Sequence, residues 1–200
     1  MSRRGNPHAR PDAFARRAKA AGAPARSVFK LEEMDRRWRL LRPGMRVLDL
    51  GAAPGSWSQY AARRVGPGGH VLAIDLKPLS TPLPPQAEFR QLDVFSLEQL
   101  PPVDLVLSDM APNTMGHHQT DALRSAALAE AALALALRFA GEGSALVVKV
   151  LEGGEVPALA RAIGQHYRKL ERLRPKATRQ QSTEMFLLGL GLKPPATWPS

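Results

Sequence analysis

Residues 47–57 read VLDLGAAPGSW, and this stretch contains the signals that decide the fold. Three of its first four residues are apolar and directly follow the turn signal Pro43–Gly44, which predicts a buried parallel strand. Gly51 comes next, a loop of small residues follows it, and the segment 57–65 predicts a helix. A strand, a glycine loop and a helix in this order form the first unit of a nucleotide-binding α/β sheet, in which the ligand lies at the carboxyl end of the strand.

The glycine spacing of this loop excludes two common phosphate-binding motifs. It is not the G-x-G-x-x-G of dinucleotide-binding proteins, and position 56 is Ser where the phosphate-binding loop GxxxxGK[ST] requires Lys. Small residues nevertheless let a backbone approach a ligand closely, so Gly51 is a candidate cofactor-binding residue. The alternative is an ordinary tight turn between a strand and a helix.

Length and composition narrow the class of protein. Two hundred residues suit a single domain with one core. The chain has no Cys, which excludes disulfides and thiolate metal sites and fits the reducing cytoplasm in which we expect the protein to act. No apolar run is long enough for a transmembrane helix. The charged N terminus lacks the apolar segment of a secretory signal, although its arginine-rich start is also compatible with a mitochondrial presequence.

The net charge of +10 is concentrated in two segments. Residues 1–42 carry twelve Lys or Arg against four acidic residues, and residues 161–180 carry seven against one. Such uneven placement is typical of a surface that binds a polyanion. Residues 1–22 are predicted to be a disordered basic arm, for which the alternative is a solvated tail that binds nothing in particular.

Hydrophobic periodicity and turn signals predict alternating helices and strands along the rest of the chain. The predicted helices span 27–41, 57–65, 120–140 (ending at Gly141) and a segment that ends near 166. The predicted strands span 47–50, 70–75, 88–92, 103–109, 144–150, 167–174 and 184–190. We therefore expect one α/β domain at 23–192, a doubly wound, mixed sheet of seven strands with helices on both faces, followed by a proline-rich tail at 193–200.

The second predicted strand, HVLAID at 70–75, ends in an acid. In nucleoside-binding sheets an acid at this position accepts hydrogen bonds from the ribose hydroxyls. Asp75 is therefore a candidate cofactor-binding residue, and the alternative is a surface loop acid.

Four charged residues conflict with their local settings: Lys30, Asp109, Lys149 and Glu184. Lys30 lies in the first turn of a predicted helix, where a cation opposes the helix dipole. Lys149 lies inside an apolar strand, where burial of a charge is costly. Asp109 and Glu184 end and begin strands, and charges so placed need a partner or a function. No cluster of residues has metal-ligand spacing, so we expect no metal.

The sequence contexts of these residues carry a resemblance to a known family. The pattern D-x-G-A-A-P-G-x-W at 49–57 resembles motif I of S-adenosylmethionine-dependent methyltransferases. The tetrad contexts are R-S-V-F-K-L around Lys30, S-D-M-A-P-N at Asp109, V-V-K-V at Lys149 and R-P-x-x-T-R-x-x-S-T-E-x-F at Glu184. From residue 26 to about 192 the chain is similar to the RrmJ/FtsJ-like family of large-subunit ribosomal RNA ribose 2′-O-methyltransferases. The resemblance implies a class I methyltransferase fold with S-adenosylmethionine as the cofactor.

The resemblance further implies that the four charged residues are a catalytic K-D-K-E tetrad. A ribose 2′-hydroxyl must lose its proton as it attacks the sulfonium methyl, and Lys149 is the candidate general base. The amine must be neutral to act, which burial and the positive charge of Lys30 favour and Asp109 opposes. We expect Asp109 to orient the amine, and Glu184 to accept a hydrogen bond from the ribose or to align Lys30.

By the same resemblance, Gly55, Trp57, Asp75, Asp93 and Asp109 are expected to bind the cofactor, with Asp93 at the adenine amino group. Without the motif, Trp57 could equally be a core aromatic residue of its helix.

Six basic residues are candidate phosphate contacts for RNA: Arg26, Arg36, Arg37, Arg39, Lys176 and Arg179. The chain departs from the family pattern at Ser56 (where Gly is commoner), Thr178 (Ser), Phe186 (Tyr) and Pro24–Ala25. None of these changes affects the tetrad, but the last could alter how a substrate fits around residues 24–26.

The resemblance implies 2′-O-methylation of a uridine in large-subunit ribosomal RNA, late in assembly and on the assembled particle. Nothing in the sequence demands more than a monomer, which is the state that we expect. A tRNA ribose methyltransferase is the alternative within the same class. From a different class, the chain could be a non-catalytic, RNA-binding ribosome assembly factor. A small-molecule methyltransferase would need a lid over its substrate, and the chain has basic segments instead.

Overall fold

The computed structural model describes residues 26–113, 116–179 and 181–194. The helices are α1 (Val28–Trp38), α2 (Ser56–Val65), α3 (His118–Phe139) and α4 (Val156–His166), and a single 3-10 turn spans Val94–Ser96. The strands are β1 (Arg46–Leu50), β2 (His70–Asp75), β3 (Ala87–Gln91), β4 (Val103–Ser108), β5 (Ala140–Leu151), β6 (Tyr167–Leu173) and β7 (Glu184–Leu192). The predicted arm at 1–22 and most of the predicted tail lie outside the described residues.

The strands form one sheet in the order β3-β2-β1-β4-β5-β7-β6. Strand β7 runs antiparallel to both of its neighbours, and every other pair is parallel. The chain starts the sheet at β1, near its middle, and adds strands first on one side and then on the other. The carboxyl ends of the parallel strands therefore share one edge. The predicted seven-stranded, mixed α/β fold is therefore confirmed.

Apolar side chains of alternate strand residues bury both faces of the sheet. On one face α1 and α2 pack against Val47, Leu105 and Leu107. On the other, the alanine-rich face of α3 and the apolar face of α4 pack against Leu48 and Leu146. These strands are buried on both sides, which explains their nearly continuous apolar sequences.

A buried carboxylate fastens α1 to its neighbours. Asp35 Oδ1 accepts a hydrogen bond from the backbone N–H of Leu41 at 2.8 Å. Its Oδ2 accepts from the Tyr60 hydroxyl at 2.9 Å and from Arg64 Nε at 3.0 Å. Because Tyr60 and Arg64 both belong to α2, this network fixes the position of α1, the helix that carries Lys30.

The junction of α3 and β5 differs from the prediction. The helix ends at Phe139, one residue before the predicted end. Strand β5 begins at the next residue, four residues before its predicted start at 144. Ala140 already has extended backbone angles (φ −87°, ψ 140°) and pairs with Val103 of β4. Pairing with β4 thus ends the helix just before Gly141, the residue from which the end of the helix was predicted. In the described ranges, no helix is long and apolar enough to cross a membrane.

Candidate active site

A cavity of about 420 Å³ opens at the carboxyl ends of β1, β2 and β4. Four of the six residues predicted to bind a cofactor line it: Gly51, Asp75, Asp93 and Asp109. Each follows or ends a parallel strand, which is why residues distant in sequence meet at one edge of the sheet. Three of the four are carboxylates, so we name this space the acidic cavity.

Two of these carboxylates also organise the walls of the acidic cavity. Asp75 accepts hydrogen bonds from the backbone N–H groups of Ala53 and Lys77, both at 2.8 Å. Asp93 Oδ1 accepts from the Phe95 N–H at 3.1 Å and so caps the 3-10 turn. An ionised carboxylate has about four lone-pair sites, so both groups retain acceptor capacity for a ligand.

Exposed apolar side chains form another part of the lining. Leu76 is 67% exposed and Phe95 is 72% exposed, although both are large hydrophobic residues. An apolar surface beside a few placed polar groups is typical of a small-molecule site. The sequence analysis missed both residues. Each comes shortly after an acid at the end of a predicted strand, so it looks like part of an ordinary loop.

The two glycines of the first loop have different surroundings. Gly51 has φ +74°, and a Cβ there would lie 2.8 Å from the backbone of Met110, another residue of the acidic cavity. Gly55 has φ +108° and precedes α2, but it does not line the cavity. A side chain at Gly51 would therefore push the β1 and β4 loops apart, whereas Gly55 shapes the entry into the helix.

Trp57 lies in the core, away from the acidic cavity. It is 2% exposed, its ring centroid is 5.8 Å from that of Phe186, and its Nε1–H donates to the carbonyl of Ser27 at 2.9 Å. The side chain thus links α2 to the start of α1 and to β7. The structure does not bring the predicted cofactor residues Gly55 and Trp57 together with the other four.

Lys149 and Asp109 form an ion pair at the end of the acidic cavity. The ammonium Nζ donates to the Asp109 carboxylate at 2.9 Å and to its backbone carbonyl at 2.6 Å. Lys149 is buried in β5, and Asp109 directly follows β4, the adjacent strand. Two acceptors from one residue fix the direction of the amine.

Lys30 and Glu184 form a second ion pair on the same face of the sheet. Glu184 begins β7 opposite Leu151, and Phe186 stands opposite Lys149, so Glu184 is the diagonal neighbour of Lys149. Each lysine of the predicted tetrad therefore has its own carboxylate. The predicted tetrad is assembled, and Asp109 lines the acidic cavity while Lys30 and Glu184 line a different one.

This second cavity has a volume of about 430 Å³. Its lining contains three basic residues, one acid and two uncharged polar residues: Arg26, Lys30, Arg179, Glu184, Gln181 and Ser182. We name it the basic cavity.

The residues predicted to contact RNA divide into two groups. Arg26 and Arg179 line the basic cavity. Arg36 and Arg37 are exposed in the last turn of α1, and Arg39 follows the helix with φ +52°. The Arg37 guanidinium stacks 4.6 Å from the ring centroid of Trp38. Lys176 is exposed and lies, like these three, outside the lining of both cavities.

A buried acid in β1 was missed by the sequence analysis. Asp49 is fully buried, its Oδ2 accepts from Ser58 Oγ at 2.5 Å, and its Oδ1 has no partner among the described residues. Burial raises the pKa of the Asp49 carboxyl to about 7, helped by the charges of Asp109 and Asp75. The segment VLDL places an ionisable residue inside an apolar strand, which is the same signal that identified Lys149. This signal could have identified Asp49 as well.

Comparisons with known proteins agree on one family. The model of FtsJ-like methyltransferases matches residues 23–192. The Ribosomal RNA large subunit methyltransferase E of Sorangium cellulosum is 50% identical over 193 residues, which cover 94% of this chain and 91% of that protein. The protein of the same name from Desulfatibacillum aliphaticivorans is 47% identical over 188 residues, covering 91% of each chain.

Solved structures support the same fold. A crystal structure from Plasmodium falciparum, described as a ribosomal RNA methyltransferase, superposes with a TM-score of 0.74 at 22% identity and covers 84% of this chain and 97% of that one. This likeness concerns the fold alone. The family model spans most of the sequence and the relatives are about half identical over nearly its whole length, so the chain belongs to the FtsJ-like methyltransferase family.

Proposed function

We propose that this protein transfers a methyl group from S-adenosylmethionine to a ribose 2′-hydroxyl of large-subunit ribosomal RNA. The observation that carries the proposal is the position of Lys149. Its amine is held by Asp109, a residue of the acidic cavity, and its diagonal neighbour on the sheet is Glu184, a residue of the basic cavity. A base so placed can act on a hydroxyl that enters from one cavity towards a group bound in the other.

The acidic cavity suits S-adenosylmethionine, which supplies an electrophilic methyl on a sulfonium centre when bound. Asp75 is the proposed acceptor for the ribose hydroxyls, and Asp93 the proposed acceptor for the adenine amino group. The exposed faces of Leu76 and Phe95 offer apolar contact. The lining has three carboxylates, of which Asp109 is paired with Lys149, against one ammonium group on Lys77. The negative charge that remains favours a cationic ligand.

For Lys149 to act as a base, its amine must first give up a proton. Asp109 opposes this loss electrostatically, but it aims the nitrogen through two contacts. We propose that Glu184 aligns Lys30 and accepts a hydrogen bond from the incoming ribose. Lys30, held in this way, helps to stabilise the forming alkoxide.

The proposed substrate rests on charge and on the relatives. The strong positive charge of residues 1–42 and 161–180 suits a phosphate backbone, and the named relatives are large-subunit ribosomal RNA methyltransferases. We propose that the target is a uridine, methylated in the cytoplasm late in assembly on the large subunit, and that one protein molecule suffices because one chain provides the whole tetrad.

The experiment that tests this proposal measures transfer of labelled methyl from S-adenosylmethionine to large ribosomal subunits, naked ribosomal RNA and tRNA side by side. Label on the subunit that maps to a uridine ribose is the expected result. Label on tRNA alone would replace the substrate and keep the reaction. Absence of label from all three RNAs, with S-adenosylmethionine still bound, would favour a non-catalytic assembly factor.

A further inference from the structure

The basic cavity concentrates positive charge beside the tetrad. Its lining side chains carry three positive charges, on Arg26, Lys30 and Arg179, against one negative charge on Glu184. The carboxylate of Glu184 forms its ion pair with Lys30. The cavity as a whole therefore favours an anionic ligand, and its two guanidinium groups suit the oxygens of a phosphate.

The two arginines are held close to each other in spite of their equal charge. Burial lowers the pKa of Arg26, and the positive charge of Arg179 lowers it further. Like charges that face one cavity raise the free energy of the free protein, and an anion placed between them would remove this cost.

One contact keeps Arg26 in place before any ligand binds. The Arg26 guanidinium donates to the carbonyl of Ala177, in the loop between β6 and β7 that carries Arg179. Ala177 is buried against Val28 and Phe29 at the start of α1. A guanidinium held in this way loses little conformational entropy on binding, so the Arg26 side of the cavity is preorganised.

The arginine pair lies next to the reacting centre. The Phe29 N–H donates to the carbonyl of Arg26, so the chain already turns helically there, and Arg26 precedes Lys30 by one turn. Residues four apart in a helical segment lie on the same side, with Cβ atoms about 5–6 Å apart. Arg179 lies in the loop that leads into β7, whose first residue is Glu184, and both residues line the cavity.

Resting on the function proposed above, we propose that Arg26 and Arg179 clamp the 3′-phosphate of the nucleotide that is methylated. The 3′-phosphate is attached to the carbon next to C2′, whereas the 5′-phosphate lies farther along the sugar. A clamp one helical turn from the tetrad therefore suits the 3′-phosphate. It would place the 2′-hydroxyl at Lys149, so both arginines are positioning residues.

The test compares two nucleotides of equal charge, uridine 3′-monophosphate and uridine 5′-monophosphate, titrated into the intact protein and followed by NMR of the backbone amides and arginine Nε–H groups. The 3′-nucleotide is expected to bind about tenfold more tightly, since a charge-assisted contact contributes roughly that factor. Arg179→Gln should abolish the preference, and Arg26→Lys should keep part of it. Arg63→Gln, which changes an exposed arginine of α2 outside both cavities, is the matched control.

Equal affinities, a preference for the 5′-nucleotide, or a 3′ preference that survives Arg179→Gln would overturn the clamp. Absence of detectable binding by either nucleotide would overturn it too. The readout is independent of methyl transfer. A missing 3′ preference in a protein that methylates ribosomal RNA would reject the clamp alone, and a 3′ preference in a protein that methylates no RNA would reject the proposed function alone.

Discussion

The two cavities are built in different ways. The acidic cavity consists mainly of residues that directly follow parallel strands, so the sheet itself brings its carboxylates together. The basic cavity forms where the start of α1 meets the loop before β7, and one of its contacts joins Arg26 to a residue 151 positions away. The acidic cavity is therefore fixed by the sheet, whereas the basic cavity depends on how α1 docks on the sheet.

The charges of the two cavities also differ, and in the proposed reaction this difference would orient the cofactor and the RNA. A ligand with a cationic sulfonium centre is favoured on the acidic side, and a phosphate chain on the basic side. The Lys149–Asp109 pair borders the acidic side and the Lys30–Glu184 pair the basic side. Substitutions on either side should therefore separate cofactor binding from RNA binding.

The largest expected effect is at Lys149, between the two sides. Lys149→Met should lower kcat for methyl transfer about 10³-fold or more, because general acid–base catalysis contributes about 10²–10⁴-fold and Asp109 also loses its partner. S-adenosylmethionine binding, measured by calorimetry, should survive. Lys149→Arg should be equally inactive, since an arginine keeps the charge but does not act as a base at neutral pH.

The matched control is Lys169→Met, which changes an exposed lysine of β6. Retained methyl transfer in Lys149→Arg would contradict the base assignment.

The next effect concerns how α1 is held. Asp35→Ala removes the acceptor of three hydrogen bonds in a buried network, which should lower the free energy of unfolding by about 3–5 kcal/mol. Urea unfolding measures the loss. Below the unfolding transition, affinity for RNA should fall more than affinity for S-adenosylmethionine, because α1 carries only the basic side.

Glu130→Ala, which changes an exposed acid of α3, is the control for a lost carboxylate. Equal losses of the two affinities in Asp35→Ala would show that the cavities do not depend on α1 separately.

The same contrast explains what could be predicted from the sequence. Strand β2 was predicted with the bounds that the structure has, because an apolar run that ends in an acid marks both a strand and its end. The positions of Asp75 and Asp109 at one edge follow from parallel pairing alone. The assembly of the tetrad was expected from the family motifs, and its roles stay predictions.

Long-range packing accounts for what was missed. Trp57 belongs to the motif, but its ring is buried because the Ser27 carbonyl and Phe186 converge on it from α1 and β7. The pairing of Lys30 with Glu184 was one of two roles that the resemblance led us to expect for Glu184. Periodicity alone does not predict it, because it depends on the docking of α1 over the sheet. Strand β5 begins four residues earlier than predicted, because Ala140 pairs with Val103 of β4.

A third prediction isolates the acidic side. Asp75→Ala should weaken S-adenosylmethionine binding about 10- to 100-fold, the equivalent of about 1.5–3 kcal/mol for a lost charged hydrogen-bond acceptor. The loop also loses its anchor, since the N–H groups of Ala53 and Lys77 both donate to this carboxylate. Asp75→Asn should restore part of the affinity.

Calorimetry measures the affinity of the acidic cavity for S-adenosylmethionine. The titration with uridine 3′-monophosphate measures the affinity of the basic cavity for a nucleotide. If Asp75→Ala reduced both affinities alike, the independence of the two cavities would be disproved.

The smallest effect connects the acidic side to the core through Asp49. Its pKa is raised to about 7 in the folded protein from an ordinary value of 3.8, so between these values the folded state binds the proton more tightly than the unfolded state. This group therefore stabilises the fold most at low pH, and the contribution is lost as pH rises towards 7, by about 1.4 kcal/mol per pH unit.

The substitution Asp49→Asn removes this titration. Its stability relative to the parent protein should rise by that amount per unit between pH 5 and 6.5, measured by urea unfolding. Because Asp75 contributes to the raised pKa, the change should begin to level off at a lower pH in an Asp75→Asn background. A stability difference that does not vary with pH would mean that Asp49 is ionised in the core, and that the negative charge of the acidic cavity does not reach it.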